Sequence, residues 1–556
     1  MPTHLGSQLL VAMLVIPFLG SLLGTILPRS STGKWFAIIV SLLTSACGLA
    51  VACLFDWKSG GMQFQFYGPA IEEIGFSFSL GVDTLSLLLV LLTCLLHPLA
   101  TTASFRSIRV RTREHYAWFN LLLLAMLGVF MARDALLFYM FFEVSLVPLF
   151  FIVGIWGGAE RRLAASRLFL YTFTGGVFTL TAILYLGLRA GTFDIPSMVH
   201  FAQGATLGNT LGMTEAFTAN ERFWVLIGLL CGLGIKTPLF PLHTWLPLAH
   251  TEAPTAGSVD LAALVLKLGT YGLLRLALPI GIINFDGSIS NANVLQFLAI
   301  LCLIGIIYGA LVAWVQTDIK KLIAYSSVSH LGFCVLGMLS LQDWGLAGSM
   351  LYMVNHGIST GAMFLLIGAI YNRYHTRDMT ELSGLAKAMP RLAFFWVLFV
   401  MASVGLPGTN GFVSEFLTIL GAFTAPHLGI VYGVVASTGI VLGAIYMLHM
   451  TAKVIFGPLH YPPMHEHAED HATIHPKYVT GGDLTGREMA ILTPLAVLVI
   501  VLGVFPGPIL RSMKAPLDAI KNPSSVTAAL AHPKVQEAVA DASRQGMIRS
   551  AVEPSE

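Results

Sequence analysis

Glu143, Lys236, Lys267 and Glu415 stand inside long apolar runs, in FFEVSLVP, GLGIKTPLF, LVLKLGTYG and GTNGFVSEF. A charge at the centre of a helix in hydrocarbon costs about 2.5–3.5 kcal/mol, so four of them cost ~10–14 kcal/mol. Snorkelling relieves a charge near the end of an apolar run, as at Arg133 or Lys320, but not one in its middle. A static Glu143–Lys236 pair is the structural alternative; intramembrane charges mark ion or proton paths by default. Polar side chains fill the interval between these charges. AYSSVSHLG carries Tyr325, Ser326, Ser327, Ser329 and His330, MVNHGIST carries Asn355, His356, Ser359 and Thr360, and His243 and Thr244 follow Lys236. Hydroxyl, imidazole and amine groups pass protons between them, and histidine and a desolvated lysine can titrate near neutral pH. The chemistry expected is a proton relay. Alternate pairing and unpairing of Glu143 with Lys236 would load and unload a proton. Moving one charge against ~180 mV costs about 4 kcal/mol, which burial and a changing carboxylate partner can supply.

The elements that hold these residues are helices in lipid. The chain has 556 residues, 56% hydrophobic and 11% charged, against about 25% charged in a soluble domain. The fold class expected is an all-α polytopic membrane protein. Phe (35) and Gly (54) are abundant, as where helices pack closely in a bilayer. A net charge of +2 with no basic tract gives no sign of a nucleic-acid partner. Cys47, Cys53, Cys94, Cys231, Cys302 and Cys334 are scattered singly in apolar runs and read as buried small hydrophobes. No redox or nucleotide motif accompanies them, so no cofactor is expected in this chain. The stretch from Met1 to Leu27 lacks a basic n-region and reads as a retained first span.

Runs of about 20 apolar residues can cross the hydrocarbon core, and about fourteen are found: 7–27, 35–55, 82–104, 114–132, 134–156, 166–188, 222–247, 257–280, 293–316, 320–341, 345–371, 391–422, 428–456 and 488–511. They are called spans 1 to 14 below. Between spans 2 and 3, GGMQFQFYG and FSFSLGVD alternate as a β-hairpin does. One set of loops carries Arg29, Lys34, Arg106, Arg109, Arg111, Arg113, Arg161, Arg162, Arg167, Lys320, Lys321, Arg373, Arg377, Lys387, Arg391, Lys453, Lys477 and Arg487. The opposite set, the tail apart, carries only Lys58, Arg133, Arg189, Arg222 and Arg275. The positive-inside rule makes the first set cytoplasmic and puts both termini outside.

Pro238 lacks an N–H and clashes one turn back, freeing the Gly234 carbonyl beside Lys236. Pro407 is expected to do the same before Glu415. Two broken helices, each beside a buried charge and five spans apart, predict two inverted five-helix repeats. The segments read as 1–112 (spans 1–3 with the hairpin), 113–281 and 282–457 (the repeats), 458–487 (a polar loop), 488–512 (the last helix) and 513–556 (a polar tail). The loop holds His460, His465, His467, His471 and His475 beside Glu466, Glu469 and Asp470. That set suits zinc, but no ligand spacing is distinctive, and it reads as a solvated cytoplasmic loop.

GIKTPLFPLHTWLPLAHTEAPTAGSV, KLGTYGLLR, DIKKLIAYSSVSHLGF, MVNHGISTGAMF and GLPGTNGFVSEF resemble the antiporter-like subunits of respiratory complex I, and among them the subunit M type of bacterial NADH:quinone oxidoreductase. The similarity covers roughly residues 80 to 457. It implies a fourteen-helix subunit of the bacterial inner membrane that pumps one proton per cycle, driven by quinone chemistry elsewhere. FMN, iron–sulfur clusters and quinone would then belong to the whole complex, and the partners would be other membrane-arm subunits and lipid. On this resemblance Glu143 and Lys236 are the coupling pair, Lys267 the central relay lysine, His330 and His356 the connecting histidines, and Glu415 the exit carboxylate. A lysine is typical at the Glu415 position in the larger antiporter-like subunit, so glutamate favours subunit M. His243, Tyr325, Ser326 and Asp260 are secondary positions. The chain departs from the family at Leu248, where LPDAH is usual, and at Asp260, where an aliphatic residue is expected. Asp260 lies seven residues before Lys267, on the same face of an α-helix, and is expected to meet cytoplasmic water. The alternatives are a cation/proton antiporter or membrane-bound hydrogenase subunit on the same fold, and a membrane scaffold in which the buried charges only hold helices together.

Overall fold

The computed structural model describes residues 2–26, 32–204, 217–460 and 482–523. The expectations for His465, His467, His471 and His475, and for the tail beyond 523, fall outside the described residues. Twelve described helices are long and apolar enough to cross a membrane. Two interrupted pairs, Ala219–Lys236 with Trp245–Glu252 and Pro390–Val404 with Asn410–Thr424, occupy the places of spans 7 and 12, consistent with the fourteen read from hydropathy. The hairpin forms as Gln63–Ile71 paired antiparallel with Phe76–Val82.

Burial sorts the helices. The most apolar windows of Thr255–Ile282, Ile319–Leu339 and Asp343–Tyr374 are 94%, 94% and 100% buried, against 28% for Ile430–Val454 and 33% for Gly486–Val504. Spans 8, 10 and 11 therefore form the axis of the bundle; spans 3 and 4, at 83%, are largely enclosed beside it, and the least buried spans lie outside. A helix that is enclosed on all sides can carry polar groups, because its neighbours rather than lipid must satisfy them. Lys267, His330 and His356 lie on these three helices.

The two halves carry matching clasps. Asp134 caps Ala135–Val144 by accepting from the N–H groups of Leu136 (2.9 Å) and Leu137 (3.0 Å). Asp318 caps Ile319–Leu339 through Lys320 (2.7 Å) and Lys321 (3.1 Å). Each capped turn is bridged to the segment after the following span, Asp134 with Asp194 and Asp318 with Asp378. Ala135 donates to the Phe193 carbonyl at 2.8 Å and Ile319 to that of Arg377 at 3.0 Å. An arginine pairs across each clasp, Arg133 with Asp194 at 2.7 Å and Arg377 with Asp318 at 3.4 Å. The clasps open the second span of each half, and five spans separate them, so they sit in inverted copies of one unit.

The breaks have different causes. At Pro238 the freed Gly234 carbonyl is taken by the Leu239 N–H (2.9 Å), while the Trp245 indole donates to Ile235 (3.0 Å). The second break is not made by Pro407, as anticipated. Pro390–Val404 ends with Gly405 in the left-handed region (φ 78°), its N–H returning to Ala402, the usual glycine termination of a helix. Pro407 lies beyond that end. Gly411 is what lets the chain re-enter: a Cβ there would stand 1.9 Å from the Ala402 carbonyl oxygen. Span 8 holds a further irregularity, π turns over Leu261–Val265 and Leu273–Ile282 on either side of Lys267.

Candidate proton-transfer site

Span 5 is interrupted at Ser145, between Ala135–Val144 and Leu146–Trp156. The Phe142 carbonyl accepts from the Ser145 hydroxyl at 2.7 Å, and Lys236 meets the same oxygen. Lys236 is 1% exposed; its Nζ donates to Phe142 O and to Ser145 Oγ, both at 2.8 Å, and lies 3.9 Å from the centre of the Phe142 ring. Two hydrogen bonds and a cation–π contact are what a buried amine needs when no carboxylate reaches it. Glu143, the next residue along, makes no ion pair with Lys236 within 4.0 Å, so the static pair is not formed. One carboxylate oxygen of Glu143 is buried with no hydrogen-bond partner. It packs on Gly176, where a Cβ would come 1.9 Å from Oε1. Acid and base are thus adjacent and disengaged.

From Lys267 a chain of contacts runs through the axis helices. Lys267 is 0% exposed; its side chain turns back along span 8 to the Ala262 carbonyl (2.7 Å) and meets His356 Nδ1 (2.8 Å). The rings of His356 and His330 lie 5.8 Å apart between centres, the one step without a direct hydrogen bond. His330 Nδ1 is 2.7 Å from the Tyr352 hydroxyl, which donates to Glu415 Oε1 at 2.8 Å. Because the tyrosine proton is committed to the carboxylate, the His330 proton must sit on Nδ1 and be given to the tyrosine oxygen. Glu415 is seated over the second break, against Gly405, where a Cβ would meet Oε2 at 2.4 Å. Lys267, His356, His330 and Glu415 are thus brought together, and Tyr352 links them. Sequence reasoning missed Tyr352, although it sits four residues before His356, on the same helical face. It also missed Tyr446, 3.4 Å from His330 Nε2.

The secondary positions divide differently. His243 is enclosed by Phe240, Tyr308 and Tyr325, with ring centres 5.7, 5.3 and 6.5 Å away, aside from the Lys267–Glu415 chain. Ser326 and Ser327 donate to the Ile323 carbonyl of their own helix and Ser329 to that of Ile306. Backbone carbonyls hold these hydroxyls, as is common for serine in apolar helices. Asn355 and Ser359 latch Asn410 at the second break (2.7 and 3.3 Å). Asp260 does not meet water: it is 0% exposed and its Oδ2 lies 2.7 Å from His97 Nδ1. The same-face arithmetic fails too, because the intervening π turn advances less per residue than an α turn; Asp260 reaches span 3 while Lys267 reaches span 11. Lys320 does not snorkel. It is 6% exposed, and its Nζ lies against the carbonyls of Thr251 and Ala253. His250, unremarked in the sequence, is 0% exposed and stacks on Phe364 at 5.1 Å. Among the described residues no group of three His, Cys, Asp or Glu could hold a metal ion.

Two family models cover most of the chain: NADH-ubiquinone oxidoreductase chain 4, amino terminus, over residues 13–132, and NADH:quinone oxidoreductase/Mrp antiporter, TM, over residues 132–443. NADH-quinone oxidoreductase subunit M of Rhodobacter capsulatus is 40% identical over 478 residues, 85% of this chain and 87% of the relative. The chain belongs to the subunit M family of NADH-quinone oxidoreductase. Subunit M of Pseudomonas aeruginosa is 36% identical over 529 residues, 92% of this chain and 96% of its own. Among solved structures, a chain of respiratory complex I from Thermus thermophilus superposes with a TM-score of 0.77 at 29% identity, covering 93% of this chain and 99% of its own. A chain of the Mrp complex from a Dietzia species gives 0.78 at 22% identity over 95% of this chain and 99% of its own, a likeness of fold alone.

Proposed function

We propose that the chain is a proton-translocating membrane-arm subunit of NADH:quinone oxidoreductase, moving protons through buried side chains while quinone is reduced elsewhere in the complex. The observation that carries the reading is the Lys267–His356–His330–Tyr352–Glu415 succession along the buried axis of the bundle. Each step breaks one N–H or O–H bond and forms the next, with no change of oxidation state. Lys267 gives a proton to His356, whose other ring nitrogen passes it to His330; Tyr352 then gives its own proton to Glu415 and is refilled from His330. At the far end Glu143 is the switch. Two unit charges about 4 Å apart near ε 20 interact by ~4 kcal/mol, the size of the ~4 kcal/mol needed to move a charge against about 180 mV. Swinging Glu143 toward Lys236 would therefore hold a proton on the amine, and withdrawing it would release one.

The redox groups, FMN, iron–sulfur clusters and quinone, are assigned to partner subunits. The basic loops are assigned to the cytoplasmic side of a bacterial inner membrane and both termini to its outer side. The paired Asp134–Asp194 and Asp318–Asp378 clasps support dividing the pumping core into 113–281 and 282–457. The antiporter-subunit alternative shares the fold, but 40% identity over 85% of the chain to a subunit M supports the complex I reading.

The test is the intact complex carrying Lys236→Ala, assayed for NADH:quinone turnover and proton uptake in proteoliposomes. Uptake should be lost in an assembled complex; normal uptake would refute the switch. Gly176→Ala asks the same of Glu143 without touching an ionisable group. Its Cβ would displace the carboxylate, and as ~1 Å of misplacement can cost about 100-fold, proton uptake should fall by about tenfold or more with the subunit still incorporated.

A further inference from the structure

Spans 3 and 8 run antiparallel and are joined twice by buried charged groups. At one end Arg275 pairs with Asp83, which also caps Thr84–Ala103, and Arg275 has Tyr271 as a further partner. That pair is saturated and holds the helices together. At the other end, toward the Arg-rich loops, His97 Nδ1 meets Asp260 Oδ2 at 2.7 Å with both side chains 0% exposed. This second pair is not saturated. Asp260 Oδ1 and His97 Nε2 are buried without hydrogen-bond partners. Beyond His97 the Phe119 ring lies 5.0 Å away between centres, and His115 stacks on Phe119 at 5.1 Å. His115 too is 0% exposed, and neither of its ring nitrogens has a partner. A fastening needs no free donor or acceptor on either side; a group that receives a proton at one atom and releases it at another needs both.

We infer that His97 and Asp260 form a second proton-holding station, delivering to Lys267 from the end of the bundle that carries the Arg-rich loops. This rests on Lys267 being a relay residue. Lys267 reaches back along span 8 to the carbonyl of Ala262, two residues beyond Asp260, so its amine lies on the Asp260 side of its own backbone. A proton bound at His97 Nε2 makes the ring an imidazolium. Its Nδ1–H bond then breaks as an O–H bond forms on Asp260, leaving His97 neutral. The carboxylic acid releases its proton toward an unprotonated Lys267, returning to carboxylate as the amine becomes ammonium. Nothing is oxidised or reduced. The π turns over Leu261–Val265 lie between donor and acceptor, a distortion that recurs at functional positions in helices.

The test compares three variants in the purified complex, reading NADH-driven proton uptake and the recovery of this chain with its partner subunits. Asp260→Asn keeps the shape and a hydrogen bond to His97 but holds no proton; Asp260→Glu keeps the acid; His97→Leu with Asp260→Leu replaces the pair by apolar side chains, which a purely structural buried pair tolerates. Uptake is expected to fall by about tenfold or more in Asp260→Asn and in the double leucine variant, in line with loss of a proton-transferring group, and to recover in Asp260→Glu. Normal uptake in Asp260→Asn or in the leucine pair would overturn the inference, as would loss of the chain from the complex in both, which marks a fastening. Lys267→Ala is the control: if it pumps normally the relay reading itself fails, whereas its failure beside a normal Asp260→Asn condemns the station alone.

Discussion

Lys267→Met is expected to leave an assembled complex that no longer takes up protons on NADH oxidation. Methionine matches the length of the lysine stem, so the 0% exposed site is refilled rather than emptied; a volume-conserving exchange of this kind usually costs less than ~1.5 kcal/mol. The Ala262 carbonyl and His356 Nδ1 lose their partner, at about 1–3 kcal/mol for buried groups left unpaired, which a subunit packed into a large complex tolerates. What disappears is the amine that meets His356. Proton transfer through that point should drop by about 100-fold or more, the contribution usual for a positioned proton-transferring side chain. Proton uptake in proteoliposomes, with subunit recovery as the control, decides the matter.

Glu415→Gln should act as strongly from the opposite end. The amide oxygen of glutamine can still accept from Tyr352, as Oε1 does at 2.8 Å, and the side chain still fits over Gly405, so helix Asn410–Thr424 keeps its place. The amide cannot take a proton near neutral pH. Uptake should fall by about 100-fold, and Glu415→Asp should restore part of it. Tyr352→Phe should be milder. His330 Nδ1 is already 3.5 Å from Glu415 Oε1, and a small shift closes that distance once the hydroxyl is gone.

Which parts of this arrangement could be read from the sequence follows from what each costs. Glu143, Lys236, Lys267 and Glu415 stood out because a charge in an apolar run needs compensation, and His330 and His356 because imidazole is rare there. Tyr352 and Tyr446 did not, since tyrosine passes for apolar until its hydroxyl partner is known. Ser327 and Ser329 drew notice beside Ser326, but a serine in an apolar helix can satisfy its hydroxyl on a backbone carbonyl, as these two do on Ile323 and Ile306. Asp260 was taken for a solvated residue because its partner, His97, lies 163 residues away and only the packing of span 3 on span 8 joins them. The inverted halves were inferred from two proline breaks. One proved to be a glycine termination, while the firmer signature, the Asp134–Asp194 and Asp318–Asp378 clasps, consists of single aspartates at helix starts.

The central claim is that Lys267 and Glu415 belong to one proton chain, and a double-variant cycle tests it most directly. Proton uptake per NADH oxidised would be measured for Lys267→Met, Glu415→Gln and the two combined. Groups that act as a unit are not additive, so the combined variant should do no worse than the weaker of the singles. Losses that multiply in the combined variant would mean that the two residues serve separate routes, and would contradict the account.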